Sequence, residues 1–377
     1  MSWADRIATH LATARDRGRW RTIRTVDDGS TRTRLTSDGT SIVSFASNDY
    51  LGLSQHPTVI DAARDALDRW GTGAGAARLI VGSRPVHDEL EAELASWCER
   101  DAALLFPTGF QANLGVLGAL VEAAGRDDVV VLSDELNHAS IIDGIRGARA
   151  RVAVYRHGDV DHVRQLLDTH DPSLRLVVSD AVFSMDGDTA QLDDLAKVCD
   201  EAGALLVVDA AHRVLGPEMP DGAIVVGTLS KTLGSLGGFV AASHEVVDLC
   251  RNAARSFIFT TASTPADTAA ALAALRIVRS PEGDDLRARL RAHVELIEPG
   301  HPSPIIAVVL GDEDVAMAAS HHLLAEGLLV PAIRPPTVAS GTSRLRVALS
   351  AAHDAADVER LADLLQALPR LLGVLRR

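Results

Sequence analysis

The sequence predicts an α/β fold, a mostly parallel sheet with helices on both faces, followed by a smaller α+β unit at the C-terminal end. Three observations predict it. From about residue 100 to about residue 265, the short apolar runs AALLF, DVVVLS, RVAVYR, LRLVVSDAVF, ALLVVDAA, AIVVGTLS and GGFVAAS recur at intervals suited to buried strands with crossover connections. Between them, QANLGVLGALVEAAG, DVDHVRQLLDTH and QLDDLAKVCDEAG carry apolar residues three and four apart, the spacing of covering helices, and two of these end in Gly. Beyond them the pattern changes to an Ala-rich helix, TPADTAAALAALRIVRS, and then to PIIAVVL, SRLRVALS and DVERLADLLQALPRLLGVL, a second α+β unit.

Taken in order, MSWADRIATHLATARDRGRW alternates charge and apolar residues at helical spacing and lacks the unbroken apolar stretch of a signal peptide. It reads as an amphipathic helix within an N-terminal arm, residues 1–45. The large α/β domain is expected over residues 46–265 and the small α+β domain over 266–377. The glycine-rich GTGAGA follows the helical DAARDALDRW and not a strand, so it is a poor dinucleotide fingerprint and is expected instead to allow close approach of backbones.

Composition narrows the function. At 377 residues the chain exceeds the usual limit for one core, and its 47% apolar and 23% charged residues are ordinary for a globular protein. Acidic residues outnumber basic ones by 51 to 37 with no basic stripe, which disfavours nucleic acid as a partner. Cys98, Cys199 and Cys250 are scattered without partners at metal-ligand spacing, so no metal is expected and a reduced, cytoplasmic setting fits. No stretch reaches the roughly 18 apolar residues that a membrane span requires, and no membrane association is expected.

Chemistry concentrates where apolar strands run out. In VGTLSKTLGSLGG, small residues surround Lys231 and leave room beside it for something bulky; alone, the lysine would read as a solvated loop cation. Asp209 ends the apolar strand of VVDAAH, where open α/β sheets place ligand-binding groups, and a buried acid there needs a partner. A protonated ring nitrogen is such a partner. His212, three residues on, reads either as a loop histidine or as a group for hydrogen bonding and proton transfer. FPTGFQANLG runs from strand through a glycine turn into a helix, so the amides of Gly109 and Phe110 suit an anion such as phosphate. In SDELNHASIIDG, His138 follows a strand and offers an aromatic face to a flat cofactor. Ser184 and Asp186 in VFSMDGD read as turn residues, Ser184 being the better candidate ligand.

Together SNDYLGL, TGFQAN, DELNHAS, VFSMDGD, VVDAAH and GTLSKTLG resemble the α-oxoamine synthases, fold-type-I pyridoxal-phosphate-dependent transferases, over nearly the whole chain. The resemblance implies pyridoxal 5'-phosphate as cofactor, condensation of an amino acid with an acyl thioester, and a homodimer whose active sites are shared. It implies Lys231 as the lysine that carries the cofactor, Asp209 at the ring nitrogen, His212 and Ser184 near the phenolic oxygen, and His138 over the ring. Gly109, Phe110 and Thr228 would hold the phosphate, with Thr261 reaching it from the second subunit. Arg346 would hold the amino-acid carboxylate, Asn48 would line the site, and Arg21 and Thr337 would meet substrate. AIRPPTVASGTSRLRVALSAAHD and the MSW opening resemble the branch of the family that joins L-alanine to a pimeloyl thioester.

Departures from the family pattern stand at Ala210, where a second acid is usual, at Arg213, where Gly or Ser is usual, and in a shortened stretch from 213 to 227. They keep two other readings open, a sister enzyme such as glycine C-acetyltransferase and a catalytically silent homologue acting as scaffold.

Overall fold

A computed structural model describes residues 1–169 and 174–371 of the chain. The N-terminal arm contains α1 (Trp3–Asp16) and the antiparallel pair β1 (Arg32–Arg34) and β2 (Ser41–Ser44). The large unit follows with α2 (Pro57–Trp70), α3 (Pro85–Trp97), β3 (Ala102–Phe106), α4 (Gly109–Ala124), β4 (Val129–Asp134), α5 (Ala139–Ala148) and β5 (Arg151–Tyr155). It continues through α6 (Val160–Thr169), β6 (Leu174–Asp180), α7 (Leu192–Ala202), β7 (Leu205–Asp209), β8 (Ile224–Thr228), β9 (Gly238–Ala242), α8 (His244–Ala253) and α9 (Arg255–Ile258). The C-terminal part comprises α10 (Pro265–Val278), α11 (Pro281–Ile297), β10 (Ile305–Gly311), α12 (Glu313–Ala325), β11 (Leu328–Leu329), β12 (Ala332–Ile333), β13 (Ser343–Ala348) and α13 (Ala355–Leu371).

A seven-stranded sheet in the order β3-β9-β8-β7-β6-β4-β5 organises the large unit. Its β8-β7-β6-β4-β5 part is parallel, and β9 runs antiparallel to both of its neighbours. Side chains alternate across a strand, and the alternation divides the core. Val129 and Val131 of β4 pack with α4 and α5, whereas Val130 and Leu132 pack with α6 and α7 on the opposite face. Both faces being covered, the strands read as continuous apolar runs. The α10 helix packs against α2 and α3, and a further core joins these helices to β10, β13 and α13.

Two sequence expectations change form. The α1 helix is present with a Ser2–Asp5 capping box, yet it buries no residue in the single chain, and Trp3 and Ile7 stay exposed. In GTGAGA, a Cβ at Gly71, Gly73 or Gly75 would meet nothing within 4 Å, so close approach is not their reason. Gly71 and Gly75 are instead needed for left-handed φ of 77° and 79°. Among the described residues, no helix is long and apolar enough to cross a membrane.

Candidate active site

Strands β4, β6, β7 and β8 all end in polar residues, Asp134, Asp180, Asp209 and Thr228, at one edge of the sheet. The parallel arrangement forces this: each crossover returns the chain to the same end, so loops rich in polar groups collect at the carboxyl edge.

Lys231 lies just beyond β8, and its Nζ is 2.8 Å from His212 Nε2. His212 Nδ1 is 2.6 Å from Tyr50 Oη, which donates to Asn48 Oδ1 at 3.2 Å. Arg346 Nη2 donates to the same oxygen at 3.2 Å. An ammonium only donates, so a charged Lys231 makes His212 Nε2 the acceptor. The ring proton of neutral His212 then sits on Nδ1 and is donated to Tyr50. Burial, reinforced by the charge of Lys231, holds His212 well below its ordinary pKa, which keeps the ring in that neutral form. Burial also lowers the Lys231 pKa, against the pull of Asp209 and Asp180, and pushes Tyr50 up to about 12.

A second network fixes the acid. Asp209 Oδ2 accepts from Asn113 Nδ2 at 2.6 Å and Oδ1 from the Ala211 amide at 2.9 Å. Asn113 Nδ2 also donates to Ser140 Oγ, which lies 2.7 Å from His138 Nδ1. The His138 amide donates to Asp180 Oδ2 at 2.8 Å, and Asp180 faces Asp209 across the β6–β7 register. Burial first, and the Asp209 charge second, push the Asp180 carboxyl well above the usual carboxylate range. Two adjacent buried carboxylates cannot both ionise cheaply. His138 itself has an exposed face.

The start of α4 brings together donors of the kind that suit an anion. Thr108 caps the helix, and a Cβ at Gly109 would stand 3.1 Å from Thr228 Cβ, so the Gly109 amide is brought beside the Thr228 hydroxyl. Gly238 on β9 supports the approach: its Cβ would lie 2.4 Å from Gly109 N. Gly238→Ala is therefore expected to force β9 away from α4, lowering stability by about 1–3 kcal/mol in a denaturant melt and weakening anion binding at the helix start. Phe110 is 43% exposed, and Thr261 and Phe259 are exposed at the surface of the chain.

The remaining sequence candidates divide between two places. Asn48 and Arg346 join the Lys231 network, and Arg346 Nε also donates to the Ser184 carbonyl at 2.5 Å. Ser184 is thus held through its backbone. Arg21 and Thr337 are exposed and line a separate cleft of about 1040 Å³ with Trp20 and Arg334. Arg213 turns back on its own loop and donates to the Pro217 carbonyl at 2.6 Å, and Ala210 packs against the core. Sequence reasoning missed Tyr50, Asn113, Ser140 and Asp180. Each is a polar residue inside one of the quoted motifs or at an apolar strand end, and that signal was available.

Residues 40–365 match the family model described as aminotransferase class I and II. The chain is 44% identical to the 8-amino-7-oxononanoate synthase of Geobacter sulfurreducens over 98% of this chain and 99% of that protein. It is 49% identical to the 8-amino-7-oxononanoate synthase of Anaeromyxobacter dehalogenans over 88% of each. Among solved structures, a lysine-to-alanine variant of serine palmitoyltransferase from S. paucimobilis, solved with a bound PLP–myriocin aldimine, superposes with a TM-score of 0.88 at 29% identity, covering 98% of both chains. The 8-amino-7-oxononanoate synthase of Francisella tularensis gives a TM-score of 0.73 at 25% identity, over 88% of this chain and 98% of that one.

Proposed function

The chain belongs to the aminotransferase class I and II family, and from that premise we propose that it uses pyridoxal 5'-phosphate to join L-alanine to a pimeloyl thioester. The products are 8-amino-7-oxononanoate, the free thiol and carbon dioxide, a step of biotin biosynthesis. What carries this reading is the partly buried relay from Lys231 through His212, Tyr50 and Asn48 to Arg346. It occurs in a chain that aligns over nearly its full length with enzymes of that activity.

The residues present suit the cofactor. A buried amine stands beside a buried carboxylate pair, and the Gly109–Thr228 cradle, which a Cβ would fill, offers amide and hydroxyl donors to a phosphate. Lys231 would carry the group, Asp209 would serve its ring nitrogen, His138 its ring, and His212 and Ser184 its phenolic oxygen. Gly109, Phe110 and Thr228 would take the phosphate. When bound, pyridoxal phosphate supplies an electron sink for the carbon that loses its proton and, later, its carboxylate.

Lys231 Nζ is the base for the α-proton of alanine, and burial that lowers its pKa makes the neutral amine accessible. His212 holds that nitrogen in place and remains neutral while doing so. Arg346 pairs with the amino-acid carboxylate until it departs, a task suited to a planar two-pronged donor. The α-carbon bonds to the thioester carbonyl carbon, the thiolate leaves with a proton, the carboxylate leaves as carbon dioxide, and a proton returns to the α-carbon. Arg21 and Thr337 in the basic cleft meet the acyl donor. A homodimer, with Thr261 completing the partner's phosphate site, is supported by the exposed apolar surface of Ile80, Val81, Phe110 and Phe259. The three cysteines are free and buried, which suits a reduced, cytoplasmic setting.

Arg346→Lys is expected to raise KM for L-alanine about tenfold with a smaller change in kcat, since a point charge replaces a fork; steady-state kinetics in alanine checks it. The function is tested by supplying the holoenzyme with L-alanine and either pimeloyl-CoA or a pimeloyl carrier protein, and in parallel with glycine and acetyl-CoA, and weighing the products. A mass of 8-amino-7-oxononanoate from alanine supports the reading. Product from glycine and acetyl-CoA alone reassigns the substrates within the family, and no product from any pair supports the silent homologue.

A further inference from the structure

His157, in the turn two residues beyond β5, is bonded at both ring nitrogens to carboxylates. Nδ1 lies 3.0 Å from Asp134 Oδ1 and Nε2 lies 2.7 Å from Asp188 Oδ2. Carboxylates only accept, so both nitrogens donate and the ring is an imidazolium. Its edge packs on Phe183 with centroids 4.3 Å apart at 87°, which fixes the ring plane.

The two acids sit on different parts of the catalytic edge. Asp134 ends β4 and takes the amides of Leu136 and Gly158, at 2.8 and 3.1 Å, so it shapes the loop that delivers His138. Asp188 closes the turn that begins at Ser184: its carbonyl accepts from the Phe183 amide, and Gly187 donates to the Phe183 carbonyl. The same turn receives Arg346 on the Ser184 carbonyl, Arg344 on Asp186, and Ser303 Oγ on the Gly187 carbonyl at 2.6 Å. Among the described residues Asp188 Oδ1 is buried without a partner, and the His157 bond to Oδ2 is a charged contact of this carboxylate.

We propose that His157 is a positioning residue whose ring, bridging Asp134 and Asp188, holds the loop of His138 and the turn of Ser184 in fixed relation. The clamp acts on the cofactor's surroundings from both sides without touching the reacting atoms. It rests on the reading of His138 and Ser184 as cofactor neighbours. The spectrum and turnover of the wild-type holoenzyme test that reading separately.

The hydrogen bonds to Asp134 and then Asp188 raise the His157 pKa to about 10. The groups facing it are Asp134 from β4, Asp188 from the turn, Glu135, which accepts its backbone N–H, and the Phe183 ring, and it shares a surface pocket with Asp159, Asp161, Arg164, Asp194 and Lys197. A pKa raised on folding stabilises the native state fully below the unfolded value near 6.5. That contribution is lost as pH rises through about 10.

The test compares holoenzymes bearing His157→Gln, Asp188→Asn and both changes, reading the dissociation constant of pyridoxal phosphate, the visible spectrum, kcat and KM for L-alanine, and melting temperature against pH. Each single change is expected to weaken cofactor retention about tenfold and lower kcat by a similar factor, as small misplacements at a reacting centre do. The double variant is expected to be no worse than His157→Gln, and the alkaline fall in melting temperature should be smaller in that variant. A lowered melting temperature with unchanged cofactor affinity, spectrum and kinetics would reduce His157 to a structural residue and overturn the proposal, as would effects that simply add. Asp188→Asn keeps the side-chain shape, and if His157→Gln is not recovered folded, the same two results in Asp188→Asn support or overturn the clamp.

Discussion

Lys231→Ala is expected to eliminate turnover and the visible band of the bound cofactor together. The lysine is assigned as both covalent anchor and base, and loss of a positioned base alone costs about 10² to 10⁴ in rate. Its removal also strips His212 Nε2 of its only hydrogen-bond partner among the described residues. His212 should stay neutral, since burial is the first cause of its lowered pKa. The fold should survive, because Lys231 belongs to no apolar core cluster. A circular-dichroism melt beside the absorbance scan separates lost chemistry from lost structure, and an unfolded variant would leave the assignment to the residue's neighbours.

Asp209→Asn is the second large effect. A carboxylate within reach of a basic nitrogen raises that nitrogen's pKa by about 1–3 units, so removing the charge lowers the ratio of protonated to neutral nitrogen by about 10- to 1000-fold. A fall in kcat of about 10² is expected, with little change in KM, because the substitution touches the proposed ring-nitrogen partner and leaves Arg346, the proposed carboxylate partner, in place. Asp180 sets the residual activity. Its carboxyl is pushed up partly by Asp209, so the substitution allows it to ionise more readily. It remains on the adjacent strand, tied to the His138 amide. Asp209→Asn combined with Asp180→Asn should therefore fall below the single variant, as measured by kcat.

The strands were legible in the sequence because burial on both faces makes each one a continuous apolar run, and their covering helices show three- and four-residue spacing. The reversal of β9 was not spelled out by its residues. GGFVAAS reads like its parallel neighbours, but residues 229–237 are too few for a crossover helix, so the chain returns antiparallel. Lys231, Asp209 and His212 were legible because polar residues at the ends of apolar strands stand out. Tyr50 and Asn113 were harder, since their partners, His212 and Asp209, lie far along the chain and only folding brings them together. The exposure of α1 was invisible for a related reason: periodicity shows that a helix has an apolar face, and says nothing of what covers it.

The most direct measurement is the fate of the alanine carboxyl group. Holoenzyme supplied with carboxyl-labelled L-alanine and pimeloyl-CoA should release labelled carbon dioxide in equal amount to free thiol and 8-amino-7-oxononanoate, and Lys231→Ala should release none. Labelled carbon retained in a pimeloyl–alanine adduct, or carbon dioxide released without thiol, would contradict the decarboxylative condensation.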